Sequence, residues 1–359
     1  MKTAVVHDWL TGMRGGEAVL EEILDLVENP TIFTLFHFSG TVSKKIESVP
    51  IVRSFLQKLP ISRSNYRNFL PLFPRAVESF DLTGFDLVVS TSHCVAKGAR
   101  PKNAPHLCYC FTPVRYAHSL FSAYFRPGET RLYGLKKMFL DSLRRWDIRT
   151  SRRVDRFLAD SSCVAERIRN AYGRESAVVF PPVDTEFFTP GSQTPLDFAL
   201  CVGALVAYKG FDRAVAWANR TGLGLRIVGS GPEEKRLREM AGSSVEFESG
   251  LSREQLRERY RRCAFFLQPA EEDFGIASVE AQACGRPVVA LDRGGIRDVI
   301  VSSGQGILYR EESIDALSAA VDLLERSGSN PEGSRGNAER FSRANFRKEF
   351  LRHVSEMTP

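Results

Sequence analysis

Short apolar blocks rich in Val, Ile, Leu and Phe alternate along this chain with longer stretches whose apolar positions recur every three or four residues. The blocks predict strands at residues 3–6, 85–90, 106–110, 156–159, 177–180, 198–203, 225–228, 245–247, 265–268 and 287–291. The longer pattern predicts helices at 17–27, 162–172, 211–220, 233–240, 254–262, 276–284, 313–325 and 337–357. Strands that alternate with helices in this way predict an α/β protein built on parallel sheets. Both halves open with the same unit: a strand, a loop containing glycine and a helix, at 3–27 and again at 198–220. Each resembles the start of a Rossmann-like domain, in which ligands bind beyond the carboxyl ends of the strands. Prolines, a glycine and polar residues at 181–192 predict the linker. The expected domains are therefore 1–185 and 186–338, followed by a terminal helical segment at 339–359.

Length agrees with two domains, since 359 residues exceed one average domain and fit two. A hydrophobic share of 43% supplies an ample core. The seven cysteines are odd in number, scattered, and include no C-x-x-C pair, so they read as buried thiols of a reducing compartment rather than a disulfide or zinc framework. His7 and Asp8 interrupt the first apolar block too early for a signal-peptide core, and no apolar run approaches a membrane span. A cytoplasmic protein is expected. The net charge of +6 is uneven: Arg126, Arg131, Lys136, Lys137, Arg144, Arg145, Arg149, Arg152, Arg153 and Arg156 fall in one segment and outnumber its acids. Two readings follow, a helix with a solvated charged face and peripheral contact with anionic lipid at the inner face of the membrane. No motif of nucleic-acid recognition accompanies the charge, so no nucleic-acid partner is expected.

Candidate chemistry concentrates at 269–287. Glu272 and Glu280 are separated by seven residues, Gly275 supplies a turn inside the first, and 276–284 reads as a helix closed by Gly285 and Pro287. Unpaired N–H groups at a helix start attract phosphate, and carboxylates on either side can hold sugar hydroxyls. A bare pair of glutamates at this spacing is common by chance, so the flanking residues decide.

Those residues, Glu272, Gly275 and Glu280-Ala-Gln-Ala-Cys-Gly-Arg-Pro-Val, resemble the EX7E signature of the retaining glycosyltransferases of family 4. The segment from Val202 and Gly203 to Lys209 and Gly210 resembles the family's V-G-R-L-x-x-x-K-G loop, with Ala204 where the family often has arginine. Gly229 and Gly231 are similar to its G-x-G-P turn. The resemblance implies a GT-B fold, two Rossmann-like parallel-sheet domains facing across a cleft, with the last helix crossing back to the N-terminal domain. It implies that Lys209 meets the donor diphosphate, that Glu280 meets the ribose and Glu272 the transferred sugar. The amides of Phe274, Gly275, Ile276 and Ala277 would hold sugar and diphosphate, with Gly203, Gly229 and Gly231 lining the pocket. The segment 294–298, G-G-x-x-D, reads as structural. At 248–250 the chain departs from the loop that reads the base, which leaves the base open.

In the N-terminal half Gly15 and Gly16 precede a helix and let a phosphate approach the backbone. The segments 90–98 and 108–116 resemble a bacterial subgroup with mannosyltransferases of O-antigen and exopolysaccharide assembly, whose second segment reads Y-C-H-T-P. Here Phe111 replaces that histidine, which in the subgroup lies beside the transferred sugar. His93 and His118 are nearby in sequence, each with a structural reading beside the functional one, and Arg115 is the expected acceptor-side or phosphate contact. The whole implies a metal-independent hexosyltransferase with no cofactor beyond its nucleotide-sugar co-substrate. GDP-mannose is the first donor and a UDP-hexose the second, with a saccharide or lipid-linked acceptor in surface polysaccharide synthesis. A nucleotide-sugar epimerase and a non-catalytic GT-B subunit remain as alternatives, the last on account of Phe111.

Overall fold

A computed structural model describes residues 1–118 and 133–358 of the chain. They form two compact units: Met1–Pro182 with Phe346–Pro359, and Val183–Asn345. The first holds strands β1 (Thr3–His7), β2 (Pro30–Thr34), β3 (Ile51–Arg53), β4 (Leu87–Ser92), β5 (His106–Cys110), β6 (Arg156–Ala159) and β7 (Ser176–Val178). Their order across the sheet is β3-β2-β1-β4-β5-β6-β7, and every pair is parallel. The second holds β8 (Phe198–Val202), β9 (Gly224–Val228), β10 (Val245–Glu248), β11 (Phe265–Gln268), β12 (Val288–Leu291) and β13 (Gly306–Tyr309). Their order is β10-β9-β8-β11-β12-β13, again all parallel. Both units are thus doubly wound and Rossmann-like, with the strand order reversing beside the first strand of each.

Alternation along the strands builds a core on both faces of the first sheet. Ala4 and Val6 of β1 pack with Phe33, Phe73 and Val88, whereas Val5 between them packs with Leu20, Ile23 and Val89 on the other face. Phe346, Phe350 and Val354 of the helix Arg343–Ser355 join this second cluster, and Arg347 pairs with Glu22 at 2.7 Å, so the chain's end completes the core of the first unit. In the second unit one face buries Trp217, Leu225, Leu267 and Val289 with Leu317 and Val321 of the helix Ile314–Ser327.

Three strands are absent from the sequence expectation: β2, β3 and β13. Each is short, β3 lies at a sheet edge, and β13 begins with glycine, so periodicity gives little signal. The expected strand at 85–90 sits two residues later, at Leu87–Ser92. The Gly-, Ser- and Pro-containing stretch after residue 327 contains a helix, Pro331–Ala338, started by Pro331 and by Asn330, whose side chain accepts from the Gly333 amide. The expected linker is largely packed structure: Phe188 is buried, Arg335 donates to the carbonyls of Thr185 and Phe188, and Arg261 to that of Thr189. The first division accordingly falls after Pro182 rather than after residue 185, which puts Thr185 inside the second unit. The final stretch rejoins the first unit at Phe346 rather than at 339.

All seven cysteines are free, and all but Cys163 are buried. Of the basic segment, Arg126 and Arg131 lie outside the described residues. The rest begins on the helix Tyr133–Thr150, which buries Leu140, Leu143 and Trp146 while Lys136, Lys137, Arg144, Arg145 and Arg149 are exposed. Among the described residues no helix is long and apolar enough to cross a membrane.

Candidate functional site

In the second unit the strand order reverses between β8 and β11, and the loops leaving these strands carry the two charged residues singled out from the sequence. Lys209 ends a 3-10 turn, Ala207–Lys209, after β8, and Glu272 lies on the loop after β11. Lys209 Nζ donates to Glu272 Oε1 at 3.0 Å, so the pair spans the switch point. Gly203 makes room for the ammonium, because a Cβ there would stand 3.0 Å from Nζ.

Two glycine pairs fix these loops by close approach of backbone to backbone. The Gly203 amide donates to the Val228 carbonyl and the Leu205 amide to that of Ser230, which draws the β8 and β9 loops together. A Cβ on Gly229 would lie 1.9 Å from the Gly203 carbonyl oxygen, and one on Gly231 would lie 2.3 Å from that of Leu205. The sequence reading made these glycines a pocket lining; the structure also gives them a packing role. Gly294 and Gly295 do the same for Glu272. The Gly295 amide donates to the Glu272 carbonyl at 3.0 Å, and a Cβ at Gly294 would stand 2.2 Å from that oxygen.

Phe274 is buried, and Gly275, at φ 94°, turns the chain into the helix Ile276–Ala283. Ser278 in its first turn donates to Gln268 Oε1, tying the helix start to the end of β11. Ile276 and Ala277 contribute the first helical amides, which have no partner within the helix. Glu280 follows one turn later, and its Oε2 accepts a 2.7 Å bond from the hydroxyl of the fully buried Tyr260. Burial pushes the Glu280 carboxyl up to about 7, against the opposing Tyr260 hydrogen bond and the positive charge of Arg253. Tyr260 was not singled out from the sequence. It sits on the helix Arg253–Arg262, and nothing in its spacing from Glu280 announces the contact.

In the first unit a second group gathers where β1 and β4 end, again at the reversal of strand order. Gly15 and Gly16 open the helix Gly15–Leu26, and a Cβ on Gly16 would meet the Phe111 ring at 3.6 Å and His7 Cε1 at 3.9 Å. His7 Nδ1 shares a 2.7 Å hydrogen bond with Thr91 Oγ1, and Glu17 Oε1 is 3.8 Å from His7 Nε2. Burial works to raise the Glu17 carboxyl, but its interaction with the neighbouring His7 imidazole outweighs that and holds the group below its usual value. Phe111 packs edge-on against His93 and Tyr109. Arg115 begins the 3-10 turn Arg115–Ala117, and its charge is among those that act on His93. His118 is drawn elsewhere: its Nε2 is 2.9 Å from Asp147, which also takes the buried Lys97 ammonium and the Tyr172 hydroxyl.

Asp8 is the largest omission from the sequence reading. Its carboxylate is buried and accepts the amides of His93, Cys94, Val95 and Ala96. An acid directly after an apolar strand was the available signal, but its partners lie some 85 residues away along the chain.

Comparison with known proteins bears on the family and the fold. The family model "Glycosyl transferases group 1" matches residues 183–342, and "Glycosyltransferase Family 4" matches residues 29–187. The two together run from 29 to 342, and the chain belongs to glycosyltransferase family 4, with the GT-B fold. A D-inositol 3-phosphate glycosyltransferase of Nocardiopsis dassonvillei is 30% identical over 206 residues, 48% of this chain and 48% of that protein. A GDP-mannose-dependent alpha-(1-6)-phosphatidylinositol monomannoside mannosyltransferase of Mycolicibacterium smegmatis is 30% identical over 190 residues, 44% of this chain and 50% of its own length. The matches thus span about half the length of these curated relatives. Solved structures match almost end to end. The lipopolysaccharide outer core galactosyltransferase WaaB has a TM-score of 0.70 at 18% identity, covering 99% of each chain. Anabaena Alr3699/HepE in complex with UDP has a TM-score of 0.73 at 14% identity, covering 99% of this chain and 100% of that one.

Proposed function

We propose that this protein is a retaining, metal-independent hexosyltransferase. It moves a hexose from a nucleoside diphosphate sugar to a saccharide or lipid-linked acceptor in the synthesis of a polysaccharide or glycolipid. The observation that carries the reading is the Lys209–Glu272 pair across the β8/β11 switch point, beside a glycine-started helix with free amides. A diphosphate arriving there exchanges the carboxylate partner of Lys209 for its own oxygens, and the ammonium then stabilises the charge that grows on the departing nucleotide. Glu272, released, is left to accept sugar hydroxyls, and Glu280 to hold the ribose. In this reading the chain orients its partners and supplies no nucleophile.

GDP-mannose is the first donor we propose, on the subgroup resemblance and on the GDP-mannose-dependent relative. A UDP-hexose is second, and the HepE complexes with UDP and with UDP-glucose support it. The exposed basic face of the helix Tyr133–Thr150 supports peripheral contact with an anionic membrane; equal binding to anionic and neutral vesicles at low salt would remove that element. Phe111 favours one rival, a non-catalytic sugar-binding subunit, because a phenyl ring has no polar atom to offer a substrate.

Calorimetry with GDP, UDP, dTDP and their common hexose conjugates tests the reading on wild type, Lys209→Ala and Glu280→Ala. One nucleotide family should bind, at least tenfold more weakly to each variant. If wild type binds none of them, the transferase assignment fails.

A further inference from the structure

The second sheet carries a pit at the end away from Lys209 and Glu272. Phe198 begins β8, Gly224 begins β9 and Phe265 begins β11, and the pit lies against these amino-terminal ends with a volume of about 170 Å³. Phe198, Leu223, Phe265, Pro287 and Leu324 supply its apolar wall. An apolar cavity of about 150 Å³ takes benzene, so the space suits one six-membered ring with short substituents.

Trp217, on the helix Phe211–Thr221, also lines the pit and is fully buried. Its indole nitrogen can only donate, and no described residue accepts from Nε1. Phe265, whose ring lies 6.1 Å away at 71°, has no lone pair to offer. A donor buried in this way has given up its hydrogen bond to water, and an acceptor placed in the pit restores one. At the mouth stand two carboxylates, Asp197 and Glu325. Both are exposed, and neither side chain is bonded or ion-paired to a described residue. A buried donor, apolar walls and a negative mouth complement a molecule with an acceptor at one end, a ring in the middle and a cation at the other.

We propose that this pit binds a small organic cation, an aryl-alkylammonium. Its ring fills the apolar walls, its charge faces Asp197 and Glu325, and an oxygen at its far end accepts from Trp217 Nε1. The site lies wholly within the second unit and does not depend on the transferase reading.

Calorimetry on the full chain, without nucleotide, compares three probes of similar size. These are 4-methoxybenzylamine, 4-ethylbenzylamine, which has a methylene in place of the oxygen, and 4-methylanisole, which lacks the cation. 4-Methoxybenzylamine should bind about fivefold more tightly than 4-ethylbenzylamine, the worth of one net hydrogen bond. It should also bind more tightly than 4-methylanisole, by a margin that shrinks as salt is raised. Asp197→Asn combined with Glu325→Gln alters only the exposed mouth, should fold, and should abolish the advantage over 4-methylanisole. Trp217→Phe should abolish the advantage over 4-ethylbenzylamine, with thermal melting to check that this buried substitution folds. If it does not fold, the comparison of the two amines on wild type decides alone. The proposal is overturned by no saturable binding of 4-methoxybenzylamine, by equal affinity for the two amines, or by unchanged affinity in the mouth variant.

Discussion

Lys209 and Glu280 are a basic and an acidic group held in different ways, and each makes a separate prediction. Lys209 is part-buried and bonded to Glu272. Lys209→Ala is expected to lower turnover about a hundredfold, the usual cost of removing one preorganised donor from developing negative charge; a loss under threefold in steady-state kinetics would remove Lys209 from the chemistry. For Glu280 the folded pKa, about 7, stands above the ordinary carboxyl value of 4.5. Between those values the native state holds more protons than the unfolded state, so stability falls as pH rises from 4.5 to 7 and levels off above. The drop is on the order of 3 kcal/mol at most. Melting curves across this range should flatten in Glu280→Gln. Tyr260→Phe should move the midpoint higher still, because the hydroxyl it removes favours the ionised carboxylate. Of these residues Lys209 and Glu280 were legible from their motifs, whereas Tyr260 was not, since a hydrogen bond between two helices leaves no mark in either segment.

At the scale of elements, the candidate loops depend on how backbones meet. Gly229→Ala would place a methyl group 1.9 Å from the Gly203 carbonyl oxygen. The β8 and β9 loops must then separate. We expect a loss of a few kcal/mol in stability, in the range of severe overpacking, together with weaker nucleotide binding, measured by chemical denaturation and calorimetry on one preparation. An unchanged midpoint would show that the loops yield without cost. The β1/β4 group depends equally on long-range contact. Asp8→Ala leaves four amides without their acceptor, and a loss of roughly 3–5 kcal/mol is expected in the same denaturation experiment. Strand-loop-helix units at 3–27 and 198–220 were readable because apolar blocks and glycines are local signals. The strands β2, β3 and β13 were not, because their short segments become strands only by pairing with neighbours already in place.

For the molecule as a whole, the chain is not divided simply into a first and a second half. Its last residues, from Phe346, belong to the first unit. Phe346 and Phe350 stack at 5.6 Å, and Phe346 meets Tyr109 of β5. Ending the chain after residue 345 would expose Tyr109 and the apolar residues around it, and remove the ion pairs of Arg347 with Glu22 and Asp25. Loss of two or three large core side chains is worth several kcal/mol. A calorimetric transition of the first unit should therefore fall by many degrees or vanish in the truncated protein, and an unchanged transition would make the helix dispensable.

The sequence by itself determined the alternation of strands and helices, the repetition of a Rossmann-like opening, and the motif-bearing residues 203–210, 229–232 and 272–287 that follow β8, β9 and β11. These are encoded in short segments, where periodicity, glycine placement and motif spacing act locally. Tertiary structure alone decided that Lys209 meets Glu272, that Tyr260 holds Glu280, that Asp8 grips the segment carrying His93, and that the final helix closes the first core. The first and third of these join loops at the ends of adjacent parallel strands, and the other two come from a helix packing against a helix and from a helix packing into the first core. A parallel sheet places the ends of strands distant in sequence side by side, and the spacing of residues in one segment carries no record of what the other brings.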